Sequence, residues 1–230
     1  MAAEPEVLKI QVSETESVTA LLYLAGKRDR IGSTLILGHG AGADQLSSFM
    51  RLYAAGLAHR GFDVLTFNFI YKEQRRGAPD QKAKLESCYH SVIDAARAHR
   101  KLKSNRLMIG GKSMGGRIAS QVAAAGAGEL AGLVFLGYPL HPPGKPEQMR
   151  RAHLKDVAAP MLFIQGSRDA FGSGEEISKV ITEDKLPATL YLVEGGDHSF
   201  KVPKRSGFTQ PEIYDATMDE IARWVKQTLA

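Results

Sequence analysis

The apolar and polar positions divide the chain into alternating elements. Positions 6–12 and 18–24 alternate with period two around a polar turn at 13–17, which predicts an antiparallel hairpin. From position 33 the pattern changes. Segments 33–38, 63–69, 107–109, 130–136, 160–166 and 188–193 are nearly continuous apolar runs, as expected of strands covered on both faces. Between them apolar residues recur at helical spacing. Examples are Phe49, Tyr53 and Leu57, then Leu85, Val92, Ala96 and His99, then 117–125 and 174–182. Ser47 or Ser48 is the expected cap of the first helix, and Gly61 stands at its expected C′ position. Pro211 falls in the first turn of a last helix that carries Ile213, Ile221, Trp224, Val225 and Leu229. The charged segment 145–157 has room for one further helix.

Strands alternating with helices from position 33 onward predict an α/β fold. The expected form is a mostly parallel twisted sheet with helices on both faces and the N-terminal antiparallel hairpin at one edge. No repeat or linker divides the chain, so residues 1–230 read as one domain. The only candidate lid is 140–155, too short for a cap domain and stiffened by Pro142-Pro143.

Composition narrows the class. With 43% hydrophobic and 24% charged residues, the chain is expected to be soluble and globular rather than disordered. The opening residues, Met1 to Glu6, are polar and acidic, and no apolar run is long enough to span a bilayer, so neither a signal peptide nor a membrane partner is expected. Cys88 is the one cysteine. It excludes an internal disulfide, reads as helix packing, and makes a reducing, cytoplasmic setting the simplest expectation.

The candidate chemistry centres on Gly110-Gly111-Lys112-Ser113-Met114-Gly115-Gly116, between an apolar strand and a helix. Gly111, Ser113 and Gly115 fit G-x-S-x-G, a sharp turn that exposes a serine at a helix N-terminus. A phosphate-binding loop would need glycine at position 106, where Arg106 stands. A dinucleotide fingerprint is excluded by the spacing in Gly38-His39-Gly40-Ala41-Gly42. Metal-ligand spacings are absent, so no metal or other cofactor is expected. Two further side chains end strands at the same edge: Asp169 after 160–166 and His198 after 188–193. Serine needs a base and the base needs an orienting acid, so Ser113, His198 and Asp169 form the candidate catalytic set in the order Ser…Asp…His. Asp197 and Asp184 are weaker alternatives for the acid. Met114 N–H and Ala41 N–H are the candidate oxyanion donors, with Gly42 neighbouring the second. His39 is expected to hold that loop. His141 either lines the pocket or is solvated.

These motifs resemble those of the α/β-hydrolases, and of the dienelactone-hydrolase-like group in particular. The run from Gly110 to Arg117, with Gly38 to Gly42 and Gly196-Asp197-His198-Ser199-Phe200, is similar to a subgroup holding a testis-expressed hydrolase-like protein and a subunit of the NSL histone acetyltransferase complex. The resemblance implies a serine hydrolase. Dienelactone hydrolases proper use cysteine, so Ser113 favours an ordinary ester or thioester as the small-molecule partner. The same resemblance also admits a non-catalytic interaction module.

Charge adds one expectation. The net charge is +5, and the loops 72–82, 145–155 and 201–205 are basic, with Glu73, Asp80 and Glu147 their only carboxylates. They either are plain solvated loops or form a rim, including Arg75 and Arg76, that attracts anionic esters. Nucleic acid is not an expected partner, because few aromatics accompany the charges.

Overall fold

The structure is a computed structural model and describes residues 4–228. Met1, Ala2, Ala3 and Leu229, which the sequence reading placed in the opening segment and the last helix, lie outside the described residues. Eight strands form one sheet: β1 (Glu6–Gln11), β2 (Ser17–Tyr23), β3 (Ser33–Gly38), β4 (Asp63–Phe67), β5 (Arg106–Lys112), β6 (Gly132–Leu136), β7 (Met161–Gly166) and β8 (Ala188–Val193). The helices are α1 (Ser48–His59), α2 (Ile70–Glu73), α3 (Lys82–Ala98), α4 (Met114–Ala124), α5 (Gly174–Glu183) and α6 (Gln210–Thr228). Among the described residues no helix is long and apolar enough to cross a membrane.

The sheet order is β1-β2-β4-β3-β5-β6-β7-β8. β1 and β2 pair antiparallel, β2 pairs antiparallel with β4, and the strands from β4 to β8 run parallel. The chain therefore goes one way from β3 to β4 and the other way from β5 onward. That reversal opens a crevice between the carboxyl ends of β3 and β5, the usual ligand position in such sheets.

Both faces are packed. Leu35, Leu37, Val64 and Met108 point to one side, among Tyr53 and Leu57 of α1 and Ile221 and Trp224 of α6. Ile36, Leu65 and Ile109 point to the other, among α3, α4 and α5. Burial on both sides explains why these strands read as apolar runs rather than alternations.

Two sequence expectations are corrected. No α-helix forms over 145–157; a 3-10 turn at Leu154–Asp156 is all that remains. Arg150 N–H donates across the loop to Leu140 O at 2.7 Å instead of to the preceding turn, and Tyr138 Oη donates to Arg150 O at 2.9 Å, so long-range bonds override local propensity. Ser47 occupies the N-cap of α1, but its hydroxyl makes no capping bond and is buried without a partner.

A close backbone approach joins α4 to β3. A Cβ at Gly115 would lie 2.1 Å from Gly38 O and 2.8 Å from His39 O. Gly115→Ala should therefore lower stability by about 1–3 kcal/mol or more through overpacking. Urea denaturation checks this; an unchanged midpoint would show that the two backbones can separate freely.

Candidate active site

β5 ends at Lys112 and α4 begins at Met114, so one residue makes the turn. Ser113 adopts φ 52° and ψ −117°, a conformation that costs a non-glycine residue roughly 1–3 kcal/mol. The hydrogen bond from Ser113 N–H to Leu136 O, at 3.1 Å, ties this turn to the end of β6. Beneath it the Tyr89 hydroxyl from α3 donates to Gly110 O at 2.7 Å and accepts from Gly110 N–H at 3.1 Å.

The turn faces His198. His198 Nε2 lies 2.8 Å from Ser113 Oγ, and His198 Nδ1 lies 2.7 Å from Asp169 Oδ2. A carboxylate facing Nδ1 keeps the proton there, which leaves Nε2 to accept the serine hydroxyl. The Asp169 side chain is fully buried. It also accepts from Gln165 Nε2 at 2.9 Å and from Phe171 N–H at 2.8 Å. The other two aspartates are occupied elsewhere: Asp197 accepts from Ser199 N–H and Lys201 N–H within its own loop, and Asp184 pairs with Arg151.

The loop after β3 borders the same serine. A Cβ on Gly40 would meet Ser113 Cβ at 3.6 Å. His39 is buried beneath; its Nδ1 donates to Gly40 O at 2.8 Å and its Nε2 accepts from Phe69 N–H at 3.1 Å. Tyr71 Oη donates to Ala41 O at 2.8 Å, which fixes the peptide plane on that side, and Gly42 is exposed. Met114 N–H belongs to the first turn of α4, where helix donors have no partner within the helix.

The remaining sequence candidates separate. His141 is 5% exposed, with Nε2 3.1 Å from Glu176 Oε1 and Nδ1 2.9 Å from Pro142 O. Both nitrogens are engaged, so the side chain neither lines the pocket as a free group nor is solvated. Arg76 pairs with Asp80, while Arg75 is exposed in a turn at φ 56°. Two neighbours of the site were not anticipated. Gln165, on β7, orients Asp169, and the Phe171 ring packs 4.3 Å from the His198 ring. Gln165 had a readable signal: it is the polar residue in an otherwise apolar strand, MLFIQG. The groove of about 400 Å³ between β8 and α6 and the one of about 660 Å³ beside Tyr23 touch none of Ser113, Asp169 and His198. Among the described residues, no group of three or more His, Cys, Asp or Glu side chains is placed to hold a metal ion.

Comparison with known proteins follows this geometry. The model of the alpha/beta hydrolase domain family matches residues 31–226. The chain belongs to the alpha/beta hydrolases. Solved structures share the fold of this hydrolase at low identity. An alpha-beta serine hydrolase homologue from Coxiella burnetii superposes with a TM-score of 0.73 at 17% identity, covering 100% of both chains. A dienelactone hydrolase from Anabaena variabilis gives 0.74 at 19%, covering 98% of this chain and 99% of its own. A serine hydrolase without lid from Xanthomonas campestris gives 0.71 at 18%, covering 100% and 95%. Among the described residues of this hydrolase too, no cap domain covers the sheet.

One consequence is pH dependence of stability. Burial, opposed by the Gly40 bond, pushes His39 down from 6.5 to about 4, and burial pushes His153 down to about 4. Each folded-state pKa lies below the unfolded one, so the folded state binds fewer protons in that window. Their contribution is complete above pH 6.5 and is lost as pH falls toward 4. The urea midpoint should fall across this range, and less steeply in His39→Gln. Parallel profiles for the two proteins would show that His39 carries no such linkage.

Proposed function

We propose that this hydrolase cleaves small or medium carboxylic esters or thioesters through an acyl-enzyme at Ser113. The observation that carries this reading is the continuous hydrogen-bonded chain Ser113 Oγ–His198–Asp169, at 2.8 and 2.7 Å. In the proposed reaction Ser113 Oγ attacks the ester carbonyl while His198 Nε2 takes its proton. Asp169 stabilises the imidazolium through Nδ1–H. The carbonyl oxygen becomes an oxyanion between Met114 N–H and Ala41 N–H. Collapse expels the alcohol or thiol, which receives the proton from His198. Water then attacks the acyl-enzyme by the same steps in reverse order of partners, with His198 again as base. The motifs around the elbow and the His198 loop support kinship with the dienelactone-hydrolase-like subgroup that includes the testis-expressed and NSL-complex proteins.

The test is labelling by a fluorophosphonate together with turnover of p-nitrophenyl acetate. The wild-type protein should be labelled at Ser113. Ser113→Ala should abolish labelling and lower kcat by roughly 10⁴-fold or more with the fold intact. A folded wild-type protein that is neither labelled nor active would favour an interaction module instead.

The substrate class we infer is anionic. Ion pairs occupy Arg76, Lys82 and Arg151, which removes part of the basic rim. Arg117 and Arg150 support the reading more directly. Arg117 stands in the first turn of α4, four residues after Ser113, and its charge is felt by Arg150, Tyr138 and His153. Its Nε is buried without a partner, and burial followed by the neighbouring Arg150 lowers its pKa. A cation whose charge is raised in cost by a second nearby cation is relieved by a carboxylate or phosphate. A carboxylate-bearing ester should therefore show higher kcat/KM than its neutral analogue, and the advantage should shrink as salt is added. Equal values at low salt would exclude an anionic preference.

A further inference from the structure

A lysine stands where the sheet calls for a core residue. Side chains alternate along β5, so Lys112 shares the face of Met108, which packs among α1 and α6. Lys112 is 8% exposed. Its ammonium lies 5.6 Å from the centre of the Phe49 ring and 5.9 Å from that of Phe200, between two aromatic faces. It donates a hydrogen bond to His198 O. Burial pushes its pKa down to about 8, against the pull of Asp169 and Asp197. A cation in such a place is costly, and an apolar side chain of similar volume would commonly pack there at lower cost.

We propose that Lys112 is a positioning residue that ties the backbone of His198 to the strand carrying the nucleophile. The inference rests on the esterase reading of the Ser113 site. Lys112 immediately precedes Ser113, so its bond joins base and nucleophile through one short, rigid unit. The rest of the His198 loop closes largely on itself: Asp197 N–H donates to Lys201 O at 3.0 Å and Phe200 N–H donates to Asp197 O at 2.9 Å. Its ties toward the sheet include Arg168 N–H to Gly196 O at 2.9 Å, Gly195 N–H to Ser167 Oγ at 2.8 Å, the His198 ring's bonds to Asp169 and Ser113, the buried Phe200 side chain, and Lys112. Lys112 alone of these reaches the backbone of His198 itself.

The end of β6 is shaped around the same bond. Gly137 has φ +69°, and a Cβ there would lie 2.8 Å from His198 O and 3.0 Å from Lys112 Nζ. A side chain at 137 would press on both partners, so glycine keeps the path open for the ammonium.

The experiment is Lys112→Met, which keeps an unbranched chain one atom shorter and loses the donor. On p-nitrophenyl acetate its kcat should fall about 10²-fold, the scale of a small misplacement of reacting groups. KM should stay within about twofold, because substrate contacts are untouched. The downfield Nδ1–H proton resonance of His198 should broaden or vanish in ¹⁵N-histidine spectra of the variant. That signal reads the position of His198 without turnover, so it separates this proposal from the esterase reading, which wild-type labelling at Ser113 tests. Wild-type kcat with an unchanged resonance in Lys112→Met would overturn the proposal. Should that variant fail to fold, Lys112→Ala refolded with ethylammonium takes its place. Recovery of the resonance with ethylammonium and not with ethanol supports the tie, and equal behaviour in both overturns it.

Discussion

The close approach of the nucleophile turn to the end of β3 is the constraint on which the rest of the site depends. Ser113 holds a positive φ only because the residues around it leave no room to relax. Gly115 presses α4 onto Gly38 and His39, and the Ser113 N–H is tied to β6. Those contacts fix the serine oxygen at the crevice where the sheet order reverses. The loop after β3 is thereby brought against Ser113, so close that a Cβ on Gly40 would lie 3.6 Å from the Ser113 Cβ. One packing contact therefore sets both the turn at Ser113 and the position of the loop beside it.

Around that fixed point the polar groups are arranged by burial. Asp169 is inaccessible to solvent yet accepts from His198, Gln165 and Phe171, so its charge is hydrogen-bonded on several sides. His39 is kept neutral by its surroundings, and a neutral ring is the form that can donate to Gly40 O while accepting from Phe69 N–H. It braces the loop and is poorly suited to be a second base. Gln165 binds in two directions, donating to Asp169 and accepting from Tyr138 N–H, and so links the acid to the chain leaving β6.

The strands were legible because a sheet covered on both faces demands unbroken apolar runs, as in STLILG of β3. The elbow and the order of Ser113, Asp169 and His198 were legible because that turn tolerates few residue types. Other features depend on contacts that no local pattern records. The 145–157 segment follows a bond between Arg150 and Leu140, ten positions apart, rather than its own propensity. His141 read as either a pocket-lining or a solvated histidine; its partner, Glu176, lies on another element. Gln165 and Lys112 were both visible as polar residues in apolar strands, yet what each one touches needed three dimensions.

The 140–155 segment is fixed along its length. His141 N–H donates to Phe171 O at 3.0 Å and its ring meets Glu176, so the start of the segment is pinned to α5 and to the residue beside His198. Its middle is held by Tyr138 and Leu140 through Arg150. Arg151 pairs with Glu183 and Asp184, and His153 meets Ser120 of α4 at 2.8 Å. A lid that opened would break all of these together. Closure of a mobile cover is therefore a poor candidate for the slow step, in contrast to enzymes gated by loop motion. The segment thus presents a fixed surface, held from α4, α5 and the end of β6 at once.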